Sequence, residues 1–523
     1  SVIDGDSEAV YSWRTKNILD ISLSGSATTV RIAYTYYANE RTVRTMHINR
    51  WRAFIMPVNC MMYVDGRIHE NHHVYLHHSD ATDWKTVSTP LSPVLSPQDM
   101  TVVGALNYDI LADSPIEIGN HQTMTFESNG AKHEVALVAP YPLDIHWLTE
   151  QFTTIVETEA KLFGGLPYDR YVCMVQVGFN VYGGLEHSRS SVNLVDIATM
   201  TNPAKSGNLL ALLCHEFFHT WNIKRIRPIE YGPFDYINEC YSPMLWLAEG
   251  FTSYYDDLLS YRCGFMSRNE YIANIGNEHF GKLDRVPGRR AMNVRDASYL
   301  AWVKLYAQSP DGNNRHPSYY LKGGIITFLL ELHIIATTNG TKRMDDVMRE
   351  LWAMYLANPS VGLTEDDVFD AVERSTGCNV KAMMTGLLNG TDDIDYAPFL
   401  EPFGLVWNTD TMPDAPFTGI TPKEDGGKLI ISSLEDGMPG QLAGFGIDDE
   451  ILAVNGIRCT TINGFAELIS QSGIGNEAEI LASCDGRIFT TQLSPVAKPN
   501  PSLSIASVLT ESQRTLLDFW LNR

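Results

Sequence analysis

The sequence is poor in cysteine and has no CxxC pair. Eight thiols, at positions 60, 173, 214, 240, 263, 378, 459 and 484, are scattered over 523 residues. This argues against a disulfide scaffold and predicts mostly buried thiols of a reducing compartment. Positive charge is scarce as well: Lys and Arg number 39 against 62 Asp and Glu, a formal charge of −23. Such a surface repels a phosphate backbone, which argues against nucleic acid as a partner. No apolar run approaches the roughly eighteen residues of a membrane span. Repeats, low-complexity tracts and a signal peptide are not visible. The chain opens at Ser1, not methionine. A processed or truncated start therefore stays open. The expected location is cytoplasmic, with a periplasmic or secreted one after processing as the alternative. What is present is globular, with 44% hydrophobic and 19% charged residues. At about 100–200 residues per domain, three or four domains are expected.

Residues 1–143 read as β. Short alternating stretches (29–34, 73–76) are punctuated by Gly, Asp, Asn and Pro, with a turn-rich segment at 90–97. From 145 the pattern turns helical, with Leu148, Phe152, Ile155, Val156 and Leu162 on one stripe. A strand (171–177), a glycine-rich turn and another strand (191–195) follow. Residues 206–390 are mostly helical, clearest at 209–220, 246–259 and 325–335. Residues 403–497 return to short β runs with many glycines and one helix near 465–470. Residues 498–501 read as a linker and 511–521 as an amphipathic helix.

The strongest chemical signal is His215-Glu216-Phe217-Phe218-His219, in an apolar, helix-forming context. Residues i and i+4 share a helix face, so two imidazoles can converge on one point. Neutral imidazole suits zinc, and Glu216 beside the pair can deprotonate water. A tetrahedral hydrolytic site needs a third protein ligand. Glu249, within Trp246-Leu247-Ala248-Glu249-Gly250-Phe251-Thr252, is the best candidate, because a carboxylate amid apolar residues needs a partner. A second cluster, His69, His72, His73, His77 and His78, falls on an expected strand and turn. It is read as solvated polar surface.

The stretch His215-Glu216-Phe217-Phe218-His219-Thr220-Trp221-Asn222-Ile223-Lys224-Arg225-Ile226-Arg227-Pro228 closely resembles the signature of the M61 metallopeptidases, the glycyl aminopeptidase family. The likeness extends through 245–255, Tyr108-Asp109-Ile110-Leu111-Ala112-Asp113-Ser114-Pro115, Gly183-Gly184-Leu185-Glu186-His187 and Ser318-Tyr319-Tyr320-Leu321-Lys322-Gly323. It implies a multidomain α+β protein with three parts. These are an N-terminal antiparallel β domain (1–143), a thermolysin-like catalytic domain with a helical subdomain (144–402), and a C-terminal PDZ domain (403–497). A linker and C-terminal helix (498–523) follow. The family usually carries further β strands before the point where this chain begins, so the first domain is expected to be shortened, processed or incompletely represented.

The resemblance also implies one zinc ion held by His215, His219 and Glu249, with Glu216 as general base. M61 is similar to the M1 aminopeptidases, in which a Gly-Gly-Met-Glu-Asn motif binds the free amine. Gly183-Gly184-Leu185-Glu186-His187 matches it, giving Glu186 that role, with Gly183 and Gly184 binding substrate. The tyrosine of a Tyr-x-Lys-Gly motif polarises the scissile carbonyl, which points to Tyr320 rather than Tyr319. Physical reasoning agrees with both transfers. An exopeptidase must neutralise an ammonium, and a carboxylate on an edge strand beside glycines allows close backbone approach. An oxyanion needs a donor, and a phenol is suitable.

Segments 417–420, 440–445 and 449–456 read as a PDZ domain, which adds a peptide as an extra strand and catches its carboxylate on backbone N–H groups. Thr418-Gly419-Ile420 is the expected carboxylate loop, although packing on the catalytic domain is an equal alternative. The expectation is thus a zinc aminopeptidase that releases small N-terminal residues, Gly or Ala, from peptides with a free N-terminus. A peptide is a candidate ligand of the PDZ domain. The alternatives are a metallo-endopeptidase, or a PDZ-led binding protein with a vestigial peptidase.

Overall fold

Asn129 and Gly130 both take left-handed backbone, with φ of 50° and 80°, as a two-residue hairpin demands. Around them the computed structural model pairs Gln122–Ser128 with Ala131–Val138 in antiparallel register. The chain crosses over through the helix Ile145–Phe163 and returns as the parallel strand Arg170–Gly178. Asp144 caps that helix by accepting from the Trp147 N–H, and Gly164 (φ 78°) ends it. Its expected stripe is buried, as the 3.6-residue period requires. Ser190–Asp196 adds in parallel, and Gly183–His187 closes the far edge antiparallel to it. The glycine-rich turn is thus confined to residues 179–182, and Gly183 and Gly184 already belong to the edge strand expected to carry Glu186. The boundary expected near residue 143 runs through a sheet, because two strands before it and three after it share that sheet, joined where Ala131–Val138 pairs with Arg170–Gly178.

The structure describes residues 2–4, 7–23, 29–77, 83–94 and 101–522. Residues 95–97 of the turn-rich segment and His78 lie outside them. The chain forms two units. The first comprises Ser1–Arg225, Ile229–Cys240 and Ser360–Gly362. Its N-terminal part is small antiparallel sheets, one of them built on Arg52–Ile55 and Ile116–Gly119. Phe54 and Met56 from that part share a core with Val172, Met174, Val192 and Leu194 of the five-stranded sheet. The two layers are thereby fixed by apolar burial.

The second unit comprises Ile226–Pro228, Tyr241–Pro359 and Leu363–Arg523. Its centre is a pair of helices, Leu245–Arg262 and Tyr319–Thr337. They meet at Gly250 and Gly323, where a Cβ on Gly250 would lie 2.5 Å and 2.6 Å from Gly323 backbone atoms. Glycine is required here for close approach. The helix Tyr319–Thr337 has 19 residues and is apolar enough to cross a bilayer by composition, against the expectation that no run approaches that length. It serves instead as a core helix, with 72% of its most apolar window buried.

Residues Ile420–Leu493 of the second unit build a six-stranded sheet with its own core of Leu429, Ile431, Ile451, Val454, Phe465 and Ile480. This module docks inside the unit through Asn314, whose Nδ2 donates to the Leu434 carbonyl at 2.7 Å. The Asn314 Oδ1 accepts from the Asp436 N–H at 3.0 Å. The segment expected as a linker is not one. Val496–Pro499 pairs with Thr411–Phe417, and Ser502–Ile505 pairs with Leu405–Asn408. The C-terminal helix Glu511–Trp520 then buries Trp520 against Tyr271, Phe328 and Phe403. None of the eight cysteines forms a disulfide. Four are buried, three are half-buried and Cys484 is exposed, so burial covers fewer of them than expected.

Candidate metal centre

The helix Ser206–Phe218 carries His215 and Glu216, and His219 caps its C-terminus instead of lying inside it. Phe217 anchors the opposite face, with its ring 5.4 Å from Phe152, 5.1 Å from Tyr171 and 5.6 Å from Trp221. That burial fixes the helix's rotation and so aims the histidine face. The His215 and His219 rings stand edge to face, 4.6 Å apart. After His219 the chain turns tightly, with the Asn222 N–H on the Phe218 carbonyl. This brings the Asn222 carbonyl back to His219 Nδ1 at 2.8 Å. A carbonyl only accepts, so Nδ1 carries the proton and Nε2 presents a lone pair. Fixing the tautomer through the other ring nitrogen is what a metal-binding imidazole needs. The donor set therefore fits a zinc-type cation.

The edge strand Gly183–His187 lies against this helix. A Cβ on Gly184 would overlap the Glu216 carboxylate and sit 2.7 Å from its Cγ. Gly184 is thus a cradle for the carboxylate. Glu186, two residues along and on the same face of the strand, joins Glu216 and His219. Each of the three brings one ligand-type atom within 4.8 Å of the others. Two acids and an imidazole this close concentrate negative charge suited to a cation or an ammonium.

The next residue, His187, turns to the other side and introduces a group that sequence reasoning missed. Its Nδ1 lies 3.1 Å from Asp113 Oδ1, the Ser188 N–H donates to Asp113 Oδ2 at 2.8 Å, and Lys224 Nζ donates to Asp113 Oδ1 at 2.8 Å. Arg225 donates to the Ser188 carbonyl at 3.2 Å and to the Thr220 carbonyl at 2.6 Å. Lys224 and Arg225 follow the histidine turn directly, so they tie that turn to the end of the edge strand. Burial alone would raise the Asp113 carboxyl, but Lys224 and His187 hold it well below the ordinary carboxylate range. Burial likewise opposes the Lys224 charge, yet Asp113 and Glu186 raise it.

A depressed carboxylate stabilises above its unfolded pKa of about 3.9 and loses that contribution as pH falls through its folded value. Asp113→Asn should therefore cost roughly 2–3 kcal/mol at pH 7. The gap from wild type should narrow once pH drops below about 4. Urea midpoints at pH 7 and pH 3 check this, and a gap that is constant or grows on acidification refutes it.

In the second unit, Glu249 sits on the helix Leu245–Arg262 and accepts a hydrogen bond from the Tyr320 hydroxyl at 3.0 Å. Tyr319 stacks on Tyr320 with centroids 4.9 Å apart and is itself buried, so Tyr320 is the one that reaches Glu249. Ser318 caps the helix start by accepting from the Leu321 N–H. Burial pushes the Lys322 ammonium down to about 8, and its Nζ donates to the Gly390 carbonyl at 2.8 Å. The N-terminal histidines do not gather. His73 and His77 lie exposed on or beside the strand His72–Leu76, and among the described residues none of them joins a cluster of three ligand-type groups.

Two family models match the chain: M61 glycyl aminopeptidase over residues 208–326 and the peptidase M61 N-terminal domain over residues 5–120. A search of curated protein sequences finds no match. Among solved structures, an aminopeptidase N family protein from Idiomarina loihiensis superposes with a TM-score of 0.91 at 24% identity. The match covers 100% of this chain and 91% of that one, and establishes the fold alone. An M1 zinc metallopeptidase from Deinococcus radiodurans covers 75% of this chain and 84% of its own at 11% identity and a TM-score of 0.49, a likeness too loose to carry inference. The first family match contains the histidine helix and the Glu249 and Tyr320 segments, and the second contains Asp113. Both models match in order along one sequence, so the chain carries the catalytic and the N-terminal likeness of the M61 glycyl aminopeptidases, a family of peptide hydrolases.

Proposed function

We propose that the chain is a zinc aminopeptidase that removes small N-terminal residues, glycine or alanine, from peptides. The observation carrying this reading is the packing of Glu216 and Glu186 on one side of the edge strand, beside a His219 whose tautomer is fixed by Asn222. His215, His219 and Glu249 would hold one zinc ion. When bound, zinc supplies Lewis-acid polarisation and eases deprotonation of water.

The chain's own residues supply the rest. Glu186 binds the substrate ammonium and so selects free N-termini. Gly183 and Gly184 let the substrate backbone approach. Glu216 takes a proton from the attacking water at its carboxylate and delivers it to the leaving amine. Tyr320 donates its phenolic hydrogen to the developing oxyanion. The module 420–493 is read as a PDZ domain. Its edge strand Ile420–Asp425 lies near the helix Ile462–Ser472, and Thr418-Gly419-Ile420 is its candidate carboxylate loop.

The test is hydrolysis of glycyl and alanyl anilides, free and N-acetylated, with chelator and with zinc restored. Chelator-sensitive release confined to free amines is expected. Equal cleavage of acetylated substrates would turn the reading to an endopeptidase. Glu186→Ala should lower kcat/KM for alanyl anilide by roughly 100-fold, since a charge-assisted contact of about 3 kcal/mol is lost. Its zinc content should stay at the wild-type level, and unchanged turnover would remove Glu186 from that role.

A further inference from the structure

Residues 179–182 lead into the edge strand and expose two aromatic rings, Phe179 and Tyr182, each 64% accessible. The backbone beneath them is clamped. A Cβ on Gly178 would meet the Arg41 guanidinium at 2.5–2.8 Å, and Arg41 donates to the Val177 carbonyl at 2.7 Å. Asn180 adopts φ 53°, and its N–H donates to Asp196 Oδ2 at 2.6 Å. Val181 packs into the core that also takes Leu185. Strand alternation then puts residue 182 on the same face as Gly184 and Glu186. The strand is the last in its sheet, so among the described residues its outer edge has no neighbouring strand.

The direction of a bound peptide follows from two fixed points and rests on the function proposed above. Gly184 lies over the Glu216 carboxylate and marks the scissile bond, while Glu186 marks the ammonium. The first substrate residue therefore lies between the Glu186 carboxylate and the Glu216 carboxylate over Gly184, whose ligand-type atoms stand within 4.8 Å of each other. The rest of the peptide leaves antiparallel to the strand, past Gly183 toward Tyr182 and Phe179. We propose that Phe179 and Tyr182 form a subsite for the residues after the scissile bond, selecting peptides with an apolar or aromatic side chain there. The clamped loop holds both rings out before substrate arrives, so little ordering is left for binding to oppose.

The experiment compares kcat/KM for Ala-Phe-Ala, Ala-Ala-Ala, Ala-Asp-Ala and alaninamide in the full-length wild type, Phe179→Ala and Phe179→Leu. Wild type should favour Ala-Phe-Ala over Ala-Asp-Ala by at least roughly 10-fold. Phe179→Ala should lower the ratio of Ala-Phe-Ala to alaninamide by about 10-fold, and Phe179→Leu should recover most of it. A wild type that cleaves alaninamide yet treats the three tripeptides alike overturns the subsite. An equal loss on every substrate in Phe179→Ala also overturns it. A zinc-loaded wild type inactive on all four overturns the subsite together with the aminopeptidase reading.

Discussion

Glu216→Gln should reduce alanyl anilide hydrolysis by roughly 10³–10⁴-fold, the range general acid–base catalysis supplies. Glutamine keeps the size and planarity of the carboxylate, so it can occupy the same cradle over Gly184. What it loses is the ability to take and return a proton near neutral pH. Glu216 is only 5% exposed, held on a helix whose other face is pinned by Phe217. The substitution removes a buried charge without opening a cavity, so thermal stability should hold or rise slightly. Zinc content should also be unchanged, because Glu216 is assigned no ligand role. Measuring kcat/KM, melting temperature and bound zinc on one preparation separates these effects. More than about a tenth of wild-type activity in the zinc-loaded variant would end the general-base assignment.

How far the site was legible depends on how local its signals are. His215, Glu216 and His219 follow from one helical turn, because spacing i, i+4 needs no knowledge of the rest of the chain. The helices near 209–220, 246–259 and 325–335 were legible for the same reason, since each carries a long apolar period of its own. The Asp113–His187–Lys224 group had no such signal. Its members come from three segments that meet only through the packing of the N-terminal sheets on the five-stranded sheet. All three residues sit in motifs that carried the family likeness, but nothing in the spacing says that they touch.

The misread elements share a cause. The glycine-rich stretch before Glu186 reads as a turn because glycine weakens strands, yet the edge strand expected to carry Glu186 already begins at Gly183, and Gly184 serves space, not conformation. Pro499 read as linker punctuation, yet proline is tolerated on a strand whose other edge needs no donor. In both places a residue that often breaks a strand sits within one, Gly184 to leave room for Glu216 and Pro499 because its free edge needs no donor.

Gly184→Ala puts that distinction to a direct test. The backbone at Gly184 lies outside the left-handed region, so alanine meets no conformational penalty there. The whole effect must come from the added methyl, which would overlap the end of the Glu216 side chain and crowd its Cγ at 2.7 Å. Two adjustments are open. Glu216 can rotate away, which moves the base from the attacking water. Alternatively, the strand can retreat, which moves Glu186 with it. Either is a displacement of about 1 Å in the reacting constellation, worth on the order of 100-fold in rate.

The expected result is therefore a roughly 100-fold lower kcat/KM with little change in melting temperature, because an edge strand can shift outward. A double-mutant cycle with Glu216→Gln identifies the mechanism. If the methyl acts by displacing the base, it has little left to damage once the base is gone. Gly184→Ala should then cost less than about 5-fold in the Glu216→Gln background. If instead the losses multiply, the strand's retreat from the substrate ammonium is the cause. The ratio of Glu186→Ala to wild-type activity should then collapse toward one in the Gly184→Ala background.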